Sequence, residues 1–200
     1  MTSPKAVALR RCCAVLAAAG ALAGWSATAA TTDRPAPEAD SRVASQPASP
    51  PAEPAPAVAK PSAAALMVCD KEIRDDVRTL FRLAQPPKPT ATWRNSVYHC
   101  RYALPHGRLT ISVSEDGTHQ AALARFTAAR RRASGNRAIE GLASFGLPAF
   151  ETAGLVMFAK DDKTLVVDAR GLPARATPDG QAREDIAYQF ASDILSCWHE

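Results

Sequence analysis

The chain has 200 residues, 46% of them apolar, and a formal charge of +4 from 24 Lys and Arg against 20 Asp and Glu. Three of those four positive charges are accounted for by Lys5, Arg10 and Arg11, in a stretch with no acid before Asp33. The remainder is close to neutral, so net charge gives no support for a nucleic-acid or anionic-membrane partner.

The N-terminus has the layout of an export signal. The cationic stretch is followed by an apolar run from Cys12 to Gly24, and Ala27-Thr28-Ala29 supplies the small-x-small pattern of a signal-peptidase site. A lipoprotein would need its cysteine at the end of the apolar run, whereas Cys12 and Cys13 stand at its start. The run is short of the roughly 20 apolar residues that a membrane span requires. Extended through Trp25 to Ala30 it reads as a marginal uncleaved anchor, with Gly20 and Gly24 in a helix-packing spacing. Segment length and the cleavage pattern favour removal of residues 1–29.

Residues 30–65 hold eight of the sixteen prolines and no aromatic residue. So little large apolar surface cannot offset the entropy of ordering. Pro and Ala bias such a segment toward extended geometry, at about 3.1 Å per residue. The expectation is a tether, or a low-complexity spacer without a partner of its own.

Residues 66–200 are sufficient for one domain. Asp70 is placed to cap a helix to about Ala84, with Ile73, Val77, Leu80, Phe81 and Ala84 on one stripe. Pro86, Pro87 and Pro89 end it. Tyr98, Cys100, Tyr102 and Leu104 then alternate with His99 and Arg101. After the turn Pro105-His106-Gly107, Leu109, Ile111 and Val113 alternate with Arg108, Thr110, Ser112 and Ser114. This pattern predicts a hairpin with one packed and one wet face.

Thr118 can cap a second helix to about Ala133, with Ala122, Leu123, Phe126 and Ala129 inward. A short strand is expected near Pro148–Thr152. Gly154–Ala159 and Thr164–Asp168 flank the turn Lys160–Lys163 and are apolar on both faces, as in covered central strands. A last helix is expected from Thr177-Pro178-Asp179, carrying Ile186, Phe190, Ile194 and Cys197. The order α-β-β-α-β-β-β-α predicts an α+β domain, a mostly antiparallel sheet of four to six strands packed with helices.

Candidate chemistry is sparse. Export would leave Cys69, Cys100 and Cys197, which permit three single bridges, and chain entropy does not choose among them. None of the four histidines has a metal-ligand spacing, and no pattern calls for a cofactor. Gly141-Leu142-Ala143-Ser144-Phe145-Gly146 is one residue too long for a nucleophile elbow. The acid pairs Asp75/Asp76, Glu115/Asp116 and Asp161/Asp162 read as solvated neighbours. The basic cluster Arg125, Arg130, Arg131, Arg132 and Arg137 ends a helix, where cations complement the helix dipole. Arg125, Arg130, Arg131 and Arg132 form the candidate anion-binding patch; without interleaved aromatics it does not suit nucleic acid.

Val68-Cys69, Tyr98-His99-Cys100-Arg101-Tyr102, Gly141-Leu142-Ala143, Gly146 through Thr152, Lys160 through Leu165 and Cys197-Trp198 together resemble a group of uncharacterised secreted proteins of actinobacteria. The likeness spans roughly residues 66–200 and extends loosely to actinobacterial lipoproteins of unknown function, whose lipobox and second disulfide have no counterpart here. It implies export and an α+β domain, and it carries no activity or catalytic residue. It favours Cys69–Cys100 as the bridge, with Cys69–Cys197 the alternative.

The expectation for function is therefore a secreted or envelope-associated binding domain. Its partner would be an envelope component or a protein, met through the sheet face or the arginine helix end, with no membrane contact after cleavage. The rival is a small extracellular hydrolase using Ser144, His99 and the Asp161/Asp162 turn. N-terminal sequencing of the extracellular product is expected to begin at or near Ala30; an intact Met1 in the envelope fraction would contradict cleavage.

Overall fold

The computed structural model describes residues 60–198. The signal segment, the tether up to residue 59, and His199 lie outside the described residues. Within them, a one-turn helix α1 (Ala63–Leu66) leads through a 3-10 turn (Met67–Cys69) to α2 (Lys71–Leu80). Strands β1 (Thr90–Arg94), β2 (Val97–Leu104) and β3 (Gly107–Glu115) precede α3 (His119–Arg132). Strands β4 (Arg137–Ala138), β5 (Ala149–Thr152), β6 (Leu155–Lys160) and β7 (Lys163–Asp168) precede α4 (Arg183–Cys197). The fold is α+β, with one sheet ordered β1-β2-β3-β7-β6-β5-β4 and every neighbouring pair antiparallel.

The alternation in β2 and β3 sends Tyr98, Cys100, Tyr102, Leu109, Ile111 and Val113 into the main core. On that face α4 contributes Ile186, Phe190 and Ile194, and α2 contributes Ile73 and Val77. Among the described residues, α3 is the one helix on the opposite face. Its Phe126 meets Phe150 edge-on at 5.4 Å, and Met157 and Ala159 complete this second, smaller cluster. The β6–β7 hairpin is thus covered on both sides, which explains why its strands are apolar on both.

A disulfide joins Cys69 to Cys100, with Cα atoms 5.6 Å apart. It staples the 3-10 turn to β2, next to a buried hydrogen bond from the Tyr102 hydroxyl to the Val68 carbonyl at 2.7 Å. Burial pushes the Tyr102 phenol well above its ordinary pKa, so it remains a donor. Cys197 lies partly buried in the last turn of α4, outside this bridge.

Several boundaries differ from the sequence expectation. The sheet has seven strands rather than four to six, because β1 and β4 were unforeseen. β1 offers only Ala91 and Trp93 for an alternation. It is joined to β2 by a two-residue turn in which Asn95 and Ser96 both have positive φ, 50° and 56°, without the usual glycine. β4 is two residues long.

The first helix stops at Leu80 rather than Ala84. Arg82, at φ 52°, takes the left-handed position usually given to glycine. Its N–H returns to the Thr79 carbonyl at 3.3 Å, and that of Leu83 returns to Arg78 at 2.9 Å, which is the Schellman pattern. An ion pair with Asp179 holds the Arg82 side chain.

The last helix begins at Arg183, six residues after Thr177. Thr177-Pro178-Asp179-Gly180 instead closes a turn, with the Gly180 N–H on the Thr177 carbonyl at 2.9 Å and Gly180 at φ 74°. The domain also reaches back into the segment read as tether. Ser62 caps α1, its N–H donates to the buried Glu115 carboxylate at 2.7 Å, and Ala65 is fully buried. The Glu115 anchor and the burial of Ala65 and Val68 together tie this stretch to the domain.

Gly107, at φ 136°, packs so closely that a Cβ there would meet the Gly171 carbonyl oxygen at 2.1 Å. This contact locks the β2–β3 turn against the segment after β7.

Two stability predictions follow from this packing. The cystine closes a loop of sequence separation 31. Replacing both cysteines by Ala is expected to cost about 3–4 kcal/mol in the chain-entropy model, read as a lower urea midpoint; an unchanged midpoint would show that the bridge constrains little.

Asp193 on α4 is raised to about pKa 6, by burial first and the Asp76 carboxylate second, from 3.8. The folded state thus holds a proton that the unfolded chain releases. Stability from this group falls as pH rises from about 4 to 6, and the penalty is complete above 6. Asp193→Asn is expected to stabilise the protein by about 1 kcal/mol at pH 7.5, after discounting for partial solvent exposure, and to have little effect at pH 4. Urea unfolding at the two pH values checks both.

Candidate functional site

The residues offered as a hydrolytic set do not meet. The Ser144 hydroxyl donates to the Gly141 carbonyl at 2.9 Å within a 3-10 turn that α4 holds down, Tyr188 donating to the Ala143 carbonyl at 2.9 Å. His99 stands on the β2 face away from the core, its Nδ1 2.8 Å from the Ser112 hydroxyl. Asp161 is in the β6–β7 turn, where its carbonyl contacts His119 Nδ1 at 2.9 Å. Among the described residues no group of three His, Cys, Asp or Glu side chains is arranged to hold a metal.

The arginine cluster is divided by its partners. Arg125 forms an ion pair with Asp116, whose side chain is only 4% exposed and whose second oxygen is buried without a hydrogen-bond partner. Arg125 therefore compensates a buried carboxylate, a structural task. Arg130 Nε is 3.3 Å from the Asn136 side-chain oxygen, and Arg137 Nε donates to Glu151 at 2.8 Å. Arg131 and Arg132 are exposed in the last turn of α3.

Two concavities stand out among the described residues. One of about 260 Å³ lies at the β4–β6 edge, where Arg137 is paired to Glu151 and Glu184 to Arg183. The other, about 390 Å³, lies beside the β2–β3 turn and is lined mainly by Phe81, Leu104, Leu172 and prolines, with His106, Arg175 and Thr177 its polar members. The Thr177 hydroxyl is engaged by the Gln181 N–H at 2.9 Å. Neither lining brings a nucleophile up to a base and oxyanion donors.

The larger feature is the sheet face that carries α3. Registered rows cross it as Thr92–His99–Ser112–Val166–Met157–Phe150 and as Thr90–Arg101–Thr110–Asp168–Leu155. Helix α3 covers the β5–β7 end of these rows, where they are apolar. The β1–β3 end is bare: Thr90, Thr92, His99, Arg101, Ala103 and Arg108 are exposed, and Thr110 and Ser112 half-exposed.

Next to it Asp168 receives hydrogen bonds from the Arg170 guanidinium at 2.7 and 2.9 Å and from its backbone at 3.0 Å. Half-burial pushes the Asp168 carboxyl up, but the Arg170 hydrogen bonds and the Arg170 and Arg108 charges outweigh it and leave the carboxyl below its ordinary value. The sequence marks the wet side of the hairpin and offers the sheet face as one of two partner surfaces, without naming the residues that bound it. Its extent depends on β1 and on where α3 lands.

Comparison with protein-family models, curated proteins and solved structures found no match.

Proposed function

We propose that this protein is an exported, non-catalytic binding domain whose ligand-facing surface is the bare β1–β3 half of the sheet. The observation that carries the reading is the incomplete cover of that face. Three strands present hydroxyl, imidazole and guanidinium groups in register beside an apolar half sealed by α3. A rigid strand scaffold presents such groups at fixed spacing with little ordering cost, which suits recognition of an extended partner. The signal-like N-terminus and the Pro/Ala stretch support export, and the Cys69–Cys100 bridge is consistent with an oxidising compartment.

Purified full-length mature protein is expected to co-sediment with envelopes of the cells that make it. The double change Thr92→Trp and Ser112→Trp fills the bare face without entering the core, and should weaken that association at least tenfold with an unchanged circular dichroism spectrum. Arg131→Ala with Arg132→Ala should leave it intact. Loss in the arginine variant with retention in the tryptophan variant would move the site to the helix end and overturn the sheet-face reading.

A further inference from the structure

We infer that the ligand of the bare β1–β3 face is an acidic polysaccharide, a linear glycan carrying regularly spaced acid groups. The inference rests on the binding-domain reading above and adds the ligand chemistry.

Charge on this face is concentrated although the chain is nearly neutral outside the signal segment. Arg101 stands opposite Thr110 on β3, and Arg108 opposite Ala103, one step toward the hairpin turn. The two arginines are therefore diagonal neighbours, about 7–8 Å apart along the sheet. Arg170 brings a third guanidinium through its bond to Asp168, the acid next to Thr110 in the Arg101–Thr110 row. Three cations against one carboxylate leave this corner with an excess of two positive charges. The next row carries neutral hydrogen-bonding groups, the His99–Ser112 pair and Thr92, and beyond it β1 adds the exposed Arg94.

Alternating guanidinium and hydroxyl groups match a polymer that alternates acid groups with sugar hydroxyls. Other polyanions and partners fit less well. The face has no Phe, Tyr or Trp side chain, and a single imidazole, His99, is a poor platform for the successive stacked bases of a single-stranded nucleic acid. It has no large apolar anchor of the kind that dominates protein interfaces or inserts into a bilayer. The groups are spread over three strands on an open surface, outside both cavities, so the geometry suits an extended chain rather than a free small anion.

Polygalacturonate is the test polymer, with neutral dextran and a 20-nucleotide oligothymidylate as comparators, measured by calorimetry on the full-length mature protein. The expected result is binding of polygalacturonate that weakens as salt rises, none of dextran, and at least a tenfold loss in Arg101→Gln/Arg108→Gln. Arg101→Lys/Arg108→Lys should recover part of the affinity, because charge is kept and the planar fork is lost. Both sites are exposed, and matching thermal midpoints would show that the variants fold.

Absence of polygalacturonate binding, or binding unchanged in the Gln variant, would overturn the inference; so would tighter binding of oligothymidylate with the same arginine dependence. If polygalacturonate fails while Thr92→Trp/Ser112→Trp still blocks envelope association, the glycan assignment falls and the binding face stands. If the tryptophan variant blocks neither, both fall.

Discussion

The structure depends on a mismatch of width. Seven strands at roughly 4.8 Å spacing make a sheet much broader than one helix, whose diameter is about 10 Å. One face solves this with two sets of cover, α1 and the 3-10 turn over β3 with α2 packed on that turn, and α4 over β6 and β7. The other face, among the described residues, has α3 alone, seated over β6 and β7. A single helix spans about two strands, so the remainder of that face must be polar, and it is.

The N-terminal cover is the less self-sufficient part, since α1 is four residues and α2 ten. Isolated helices of that length are marginal in water. Their position is fixed by specific ties to the sheet: the cystine to β2, the Tyr102 hydroxyl on the Val68 carbonyl, and the Ser62 amide on Glu115 at the end of β3. These ties hold the chain just after the Pro/Ala stretch to the core face, on the side of the sheet away from the bare β1–β3 surface.

The arginines illustrate how a charge count conceals function. The densest cationic run in the sequence, on α3, is partly consumed by Asp116 and Asn136 and sits over the covered half of the sheet. The arginines of the bare face are scattered along the chain at positions 101, 108 and 170. They converge only because β2 pairs with β3 and β3 with β7.

The sequence alone determined what is local. Period-two alternation placed Tyr98, Cys100, Tyr102, Leu109, Ile111 and Val113 inward, two-sided apolarity marked β6 and β7 as central, and Thr118 marked the start of α3. These signals are legible because one strand or helix turn carries its own pattern of burial. What tertiary structure decided was whatever depends on a distant partner. Arg82 ends α2 without a glycine through the backbone bonds of its Schellman turn, which no residue type announces, and Asn95-Ser96 could turn because β1 had β2 to pair with. Ser62 joined the domain because Glu115 accepts its amide. The extent of the bare face belongs to the same class. No stretch of sequence states that α3 lies over β6 and β7 rather than over β2, since that choice is made by Phe126 packing against Phe150 and Met157 across the sheet.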